Sequence, residues 1–348
     1  MISLAALARK DIVALEPYSS ARSTAGAEGV LLDANENPFP QRAGGVALNR
    51  YPDPFARELR RRLAEYSSVG AGNVIVGNGS DELIDVALKV FCVNGDNIVA
   101  PVPTYPMYSV AAAILGVGFK PVMLHPDFSV DVDSVLSAVD ARSKMIFLCS
   151  PNNPVGSVVP EAVVRRIAAE SRLPVLVDEA YFEFCGKTSV KLVEELGSVI
   201  VLRTLSKAWG LAGLRLGYAI ASPEAIGLFD KVKAPYNVSA ATQSLALKAL
   251  AGEARLRRNV ARIIAGRKRV SSRLSKLGFT IIPSEANFVT ARLPDGANAA
   301  EFCRKLAARG VVVRDRSRLP LLENCVRFTV GAPSENKLLL SLARELLQ

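Results

Sequence analysis

The sequence predicts an α/β protein: a large unit with a mainly parallel, seven-stranded sheet, followed by a smaller α+β unit. Three observations carry this. Short β-branched apolar runs alternate with helical stretches between residues 74 and 221, the pattern of strands buried on both faces and joined by crossover helices. Beyond residue 252 the strands shorten and a long basic helix intervenes. The chain has 348 residues, 50% of them hydrophobic, so it is about two domains long and can bury a core without disulfide or metal staples.

Taken in order, the first 44 residues lack strong periodicity and read as an arm plus a loop. Expected strands of the large unit are Val74–Val76, Asn97–Ala100, Lys120–Met123, Met145–Cys149, Val175–Val177, Val199–Arg203 and Tyr218–Ala221. Helical patterns separate them, for example Asp81–Phe91, Tyr108–Leu115 and Glu161–Ser171. From Glu253 to Lys276 there are nine basic residues and one acid. At helical spacing Arg255, Arg258, Arg262, Arg269, Arg273 and Lys276 share one stripe, and Leu256, Val260, Ile263, Ile264, Val270 and Leu274 fall on another side. Short strands near Thr280–Ile282, Phe288–Ala291, Val311–Arg314 and Cys325–Val330, with helices at Ala299–Arg309 and Ser334–Leu347, complete the smaller unit. The expected division is 45–252 for the large unit, with 1–44 and 253–348 forming the arm and the small unit.

Composition excludes several classes of function. A single histidine, His125, rules out multi-histidine metal sites, and five cysteines without a C-x-x-C pair argue against a zinc cage or disulfide framework. No metal is expected, and a reducing cytoplasm fits the cysteines. The surplus of 43 basic over 33 acidic residues, +10 in all, invites nucleic-acid, membrane or phosphorylated-substrate readings. The basic helix has no interleaved aromatic residues and no accompanying nucleic-acid motif, so a solvated face is the simpler account. Neither nucleic acid nor membrane is expected as a partner. Residues 97–119 carry no charge for 23 positions, but Pro101, Pro103 and Pro106 break that run. The start, MISLAALARKD, has too short an apolar run for a signal segment.

In open α/β sheets, ligands bind beyond the carboxyl ends of the strands. Here those ends run into Gly77-Asn-Gly-Ser80-Asp81, Ser150-Pro-Asn-Asn153, Asp178-Glu-Ala-Tyr181 and Thr204-Leu-Ser206-Lys207. A lysine at one strand end beside an aspartate at the next suits an imine-forming cofactor. Pyridoxal phosphate needs the lysine for a Schiff base and a carboxylate beside its ring nitrogen. It also needs a phosphate anchor, and the turn before a helix at Ser80 supplies free N–H groups. Each residue has a plainer reading alone: Lys207 as a surface lysine, Asp178 as a loop acid or helix cap, Ser80 as a cap. The string GNGSDE lacks both nucleotide-loop patterns. Their convergence on the strand ends of one sheet shifts the balance.

The stretch TLSKAWGLAGLRLGY (204–218) resembles the lysine segment of fold-type I pyridoxal-phosphate aminotransferases. The wider pattern is similar to the histidinol-phosphate aminotransferase family: LEPYSSAR (15–22), LDANENP (32–38), RYPDP (50–54), VGNGSDELID (76–85), PTYPMYSV (103–110), SPNNPVG (150–156), VLVDEAYFEF (175–184) and VRFTVG (326–331). The resemblance spans nearly the whole chain. One departure is Val155, where the family pattern has threonine after the paired asparagines and proline.

The resemblance implies Lys207 as the Schiff-base lysine and proton shuttle, with Asp178 paired to the pyridine nitrogen. Tyr181 and Asn153 would bond the ring's 3-oxygen, and Tyr105 would stack on the ring. Ser80, Asp81 (through its backbone), Thr204, Ser206 and Arg215 would hold the phosphate, joined by Tyr51 from the partner subunit of a homodimer. Arg327 would clamp the substrate carboxylate. Arg314 would contact phosphate, with Tyr18 and Asn35 in the same pocket. For both arginines a surface ion pair is the plainer reading. His125 has no role in this scheme and is expected to be structural or exposed. The implied reaction is transamination between L-histidinol phosphate and 2-oxoglutarate, giving imidazole acetol phosphate and L-glutamate. Aromatic amino-acid aminotransferases and threonine-phosphate decarboxylases share these motifs and stay open as alternatives. A basic nucleic-acid-binding regulator on the same fold would need a separate module, for which no residues are left.

Overall fold

The computed structural model describes residues 3–18, 32–40, 42–43 and 45–347. Residues 19–22 of the LEPYSSAR segment therefore lie outside the described residues. A short ribbon, β1 (Arg42–Ala43) paired with β2 (Val46–Ala47), precedes the main sheet. That sheet comprises β3 (Val74–Asn78), β4 (Asn97–Val102), β5 (Gly118–Met123), β6 (Ser143–Cys149), β7 (Val175–Asp178), β8 (Val199–Thr204) and β9 (Leu216–Ile220). Its order is β3-β9-β8-β7-β6-β4-β5. Only β9 runs against its neighbours β3 and β8, and the other pairs are parallel. The seven-stranded, mainly parallel sheet is thus the one expected.

The reason the strands read as unbroken apolar runs lies in the core. Along β8, Ile200 and Leu202 enter the core on one face, and Val199 and Val201 enter the core on the other. Successive side chains point to opposite faces, so a strand covered on both sides must be apolar at every position.

A four-stranded antiparallel sheet follows, in the order β10-β11-β13-β12. Its strands are β10 (Thr280–Ile282), β11 (Phe288–Arg292), β12 (Arg314–Asp315) and β13 (Cys325–Thr329). Phe279, Phe302 and Phe328 meet edge-to-face in its core, with centroids 5.8–6.4 Å apart. The long helix, Glu253–Ser275, buries Leu256, Val260, Val270 and Leu274 and turns its basic stripe outward.

Three expectations need correction. The amino-terminal stretch is not all arm and loop: helices Leu4–Leu7 and Lys10–Ala14 form there, Ser3 accepts from the Ala6 N–H, and Leu4 is fully buried. Helices this short show no periodicity in a sequence. The strand expected at Val311–Arg314 begins only at Arg314, because the Val311 N–H bonds Leu306 O and finishes the preceding helix. The strand expected at Tyr218–Ala221 is Leu216–Ile220, beginning two residues earlier.

Val155, the family departure, is fully buried against Ile282, Leu322 and Cys325 of the small sheet and its loop. There an apolar side chain needs no hydrogen-bond partner and fastens the 150–156 loop to the smaller sheet.

Candidate active site

The carboxyl ends of β3, β6, β7 and β8 converge on a cleft of about 160 Å³. It is lined by Ser80, Asp81, Tyr105, Asn153, Asp178, Tyr181, Thr204, Ser206, Lys207 and Arg215, together with Cys149, Ala180 and Ala212. Parallel strands explain the convergence: their carboxyl ends face one way, so the loops leaving them share one rim.

Asp178 closes β7 and is 3% exposed. Its Oδ1 accepts from the Ala180 N–H at 3.0 Å and its Oδ2 from the Tyr108 hydroxyl at 2.7 Å. Burial pushes its carboxyl up to about 6, an effect opposed by those two donors and by Lys207, and reinforced by Asp81. Lys207 opens into the cleft with Nζ 5.7 Å from the Tyr181 ring centroid. The enclosing walls lower its pKa, and the Arg327 charge lowers it further.

The turn before the Ser80–Phe91 helix is shaped by two glycines. Gly79 has φ +85°, a left-handed conformation that L side chains rarely adopt, and a Cβ there would lie 2.7 Å from Arg215 Nη2. Gly217 on β9 passes directly beneath: a Cβ would come within 2.3 Å of Ser80 N. The Thr204 hydroxyl accepts from the Ser206 N–H at 3.1 Å, which curls the loop after β8 toward the same turn. Arg215 approaches Asp81 at 3.8 Å, and Asp81 Oδ1 accepts from the Tyr105 hydroxyl at 3.0 Å. The Asp81 side chain is thus engaged with Arg215 and Tyr105.

Arg327 reaches this cleft from β13, donating to Asn153 Oδ1 and lying 5.2 Å from the Phe288 ring centroid. Arg314 is its direct cross-strand partner, so both side chains leave the same face of the small sheet. Sequence reasoning missed a third arginine there. Arg316 continues the ladder through its N–H to Cys325 O at 2.9 Å, which returns its side chain to that face. Its Nε is buried, with no hydrogen-bond partner among the described residues. Burial and the charges of Arg327 and Arg314 all work against its own charge, with Tyr181 also in range. The period-2 alternation after Arg314 was the available signal.

The structure does not bring every expected residue to this cleft. Tyr51 and Asn35 line a separate cavity of about 470 Å³ with Arg50 and Tyr236, and Tyr51 stacks on Tyr236 at 4.5 Å. Tyr18 is 73% exposed. His125 is exposed, as expected. Among the described residues no His, Cys, Asp and Glu group could hold a metal ion, and no helix is long and apolar enough to cross a membrane.

A lysine and a buried aspartate at adjacent strand ends, over a glycine-lined turn, could hold a phosphorylated carbonyl cofactor. The chain belongs to the family described as Aminotransferase class I and II, which matches residues 27–345. Among its relatives, the histidinol-phosphate aminotransferase of Cytophaga hutchinsonii is 42% identical over 347 residues, covering 98% of this chain and 99% of that protein. The solved histidinol-phosphate aminotransferase of Sinorhizobium meliloti, in complex with pyridoxal-5′-phosphate, superposes with TM-score 0.78 at 26% identity, covering 86% of this chain and 83% of that one. The L-threonine-O-3-phosphate decarboxylase of Porphyromonas gingivalis shares the fold, with TM-score 0.73 at 24% identity over 86% of this chain and 91% of that one.

Proposed function

We propose that this chain transfers the amino group between L-histidinol phosphate and 2-oxoglutarate, giving imidazole acetol phosphate and L-glutamate, with pyridoxal 5′-phosphate as cofactor. The observation that carries the reading is Asp178. Its carboxylate is buried in the wall of the cleft with two neutral donors on it, and among the described residues no lysine or arginine forms an ion pair with it. A buried carboxylate held by two neutral donors is still costly, and the pyridinium nitrogen of this cofactor would supply the charge that balances it. The hollow kept open by Gly79 and Gly217 fits the second requirement, a phosphate against a helix N-terminus.

Lys207 would bond the cofactor's aldehyde carbon, and Asp178 its ring nitrogen. Tyr181 and Asn153 would meet its 3-oxygen, and Tyr105 its ring face. Ser80, the Asp81 backbone, Thr204, Ser206 and Arg215 would hold its phosphate. The bound cofactor supplies an electron sink for the charge left when the substrate Cα loses a proton. Lys207 moves that proton from the substrate Cα, and its lowered pKa supports this by leaving more free amine near neutral pH. Arg327 offers a planar fork that suits a carboxylate and a phosphate alike. Arg314 and Arg316 add two positive charges on the same face, which suits a dianion over a second apolar group. In this reading Tyr18 and Asn35 line the substrate pocket, the enzyme is a cytoplasmic homodimer, and Tyr51 reaches the cofactor phosphate of the partner subunit.

The reading is tested by mixing the purified, cofactor-loaded protein with single substrates and following the cofactor's absorbance. L-histidinol phosphate and L-glutamate should each convert it, and imidazole acetol phosphate should restore it. Conversion by phenylalanine with none by histidinol phosphate would assign the chain to aromatic amino acids instead. Release of carbon dioxide from threonine phosphate would make it a decarboxylase.

A further inference from the structure

Tyr108 is completely buried and does not line the cleft. It sits in the first turn of the Met107–Ile114 helix, three residues after Tyr105. Its hydroxyl donates to Asp178 Oδ2 at 2.7 Å. The edge-to-face contact of its ring with Tyr105 has centroids 5.6 Å apart and planes at 80°. On the far side it packs on Phe147 at 5.0 Å. One rigid side chain therefore touches both the carboxylate and the aromatic ring that flank the cofactor space.

We infer that Tyr108 is a positioning residue: its buried hydroxyl holds Asp178 ionised and fixed in orientation, and its ring sets the plane of Tyr105. The inference rests on reading Asp178 as the partner of the cofactor's ring nitrogen.

The choice of donor matters. A lysine or arginine in this position would neutralise Asp178 and leave it nothing to offer a cationic ring. A neutral hydroxyl stabilises the carboxylate against burial yet leaves its full charge in place. With Ala180 N–H on Oδ1 and Tyr108 on Oδ2, the carboxylate plane is set by two donors from different elements. The other titratable groups facing Asp178 are Lys207, Asp81, Cys149, Tyr181 and Tyr105. Of these only Lys207 favours the ionised acid, and it stands on the open side of the cleft. Burial pushes the Tyr108 phenol well above its ordinary value, so it stays a donor throughout the working pH range.

The test uses full-length wild type, Tyr108→Phe, Asp178→Asn and the double variant. Two quantities are measured against pH: kcat and KM of the cofactor-loaded enzyme, and the dissociation constant of pyridoxal 5′-phosphate from the cofactor-stripped chain. Losing a hydrogen bond to a charged group should raise the Asp178 pKa by about one to two units. Tyr108→Phe should then move the acid limb of both profiles up by that amount. It should lower kcat near neutrality about tenfold with KM little changed, and regain rate as pH rises. In the Asp178→Asn background the same change should cost less than about twofold, because a residue acting through Asp178 has nothing left to act on. Unmoved acid limbs, or equal fold-losses in the two backgrounds, would overturn the inference and leave Tyr108 as core packing. If Tyr108→Phe alone does not fold, restored folding in the double variant supports it, and continued misfolding overturns it. Lys207→Ala serves as the separate control. Retained turnover there would sink the proposed reaction itself, whereas a dead Lys207→Ala with unshifted Tyr108→Phe profiles would sink only this inference.

Discussion

A carboxylate sealed inside a protein is a liability unless something at the site requires it. Asp178 sits at about 6, against about 3.9 for the ordinary acid. Protonation of Asp178 therefore favours the folded, cofactor-free chain over the unfolded one, while above about pH 6 the folded acid is ionised. That contribution to stability is complete below about pH 3.9 and is lost as the pH rises through about 6. Asp178→Asn should accordingly raise the melting temperature of the cofactor-free chain at pH 8, by the equivalent of about 1–3 kcal/mol, and leave it unchanged near pH 4. The same substitution should slow turnover roughly 10²–10³-fold. Melting curves at the two pH values, set beside kcat, check both halves; equal melting temperatures at pH 8 would show that the carboxylate is not strained. Lys207→Ala has the plainer expectation of losing turnover by about 10²–10⁴-fold or more, since the proton at Cα then has no base. Steady-state assays and the absorbance of bound cofactor read this directly.

At the scale of elements, β12 and β13 concentrate positive charge. Arg314, Arg316 and Arg327 share one face, and Arg316 has its Nε buried without an acceptor among the described residues. Charge-assisted hydrogen bonds contribute about 1.5–3 kcal/mol each, or roughly ten- to a hundredfold in affinity. Arg316→Gln should raise KM for histidinol phosphate by that factor while leaving phenylalanine turnover little changed, and Arg314→Gln should do so more weakly because Arg314 is exposed. Equal losses on both substrates would make these arginines supports of the strand pair. The β9 crossing gives a second check. Gly217→Ala drives a methyl into Ser80 N, while Gly213→Ala, a few residues away, meets nothing within 4 Å. The first should destabilise the chain by about 1–3 kcal/mol and weaken cofactor binding, and the second should do neither. Melting temperature and cofactor titration compare them. Most of this architecture was legible in the sequence, since two-sided burial writes itself as apolar runs and the loops at the strand ends line one cleft. Tyr108 was not, because its meaning lies in a contact with a residue 70 positions away. Arg316 was hidden inside a charge-rich RDRSR string, where nothing but strand register separates a buried arginine from a solvated one.

For the whole molecule, the question is whether one chain makes one complete site. Tyr51 is half-exposed and stacks on Tyr236 beside a cavity that excludes Lys207. Val110, Ile114, Met123 and Leu245 are also exposed, apolar surface of the kind a second copy covers. In the proposed homodimer Tyr51 completes the partner subunit's phosphate site, which can be tested by complementation. Tyr51→Phe and Lys207→Ala chains are mixed, subunit exchange is verified by mass, and transamination is assayed at limiting cofactor. A mixed dimer holds one site with Lys207 from the first chain and Tyr51 from the second, both unaltered, and one site with both defects. Random exchange at equal amounts makes half the dimers mixed, so about a quarter of all sites are intact. Activity should rise toward about a quarter of wild type, well above the sum of the separate variants. Were Tyr51 to serve the site of its own chain, no mixed dimer would contain an intact site, and mixing would add nothing.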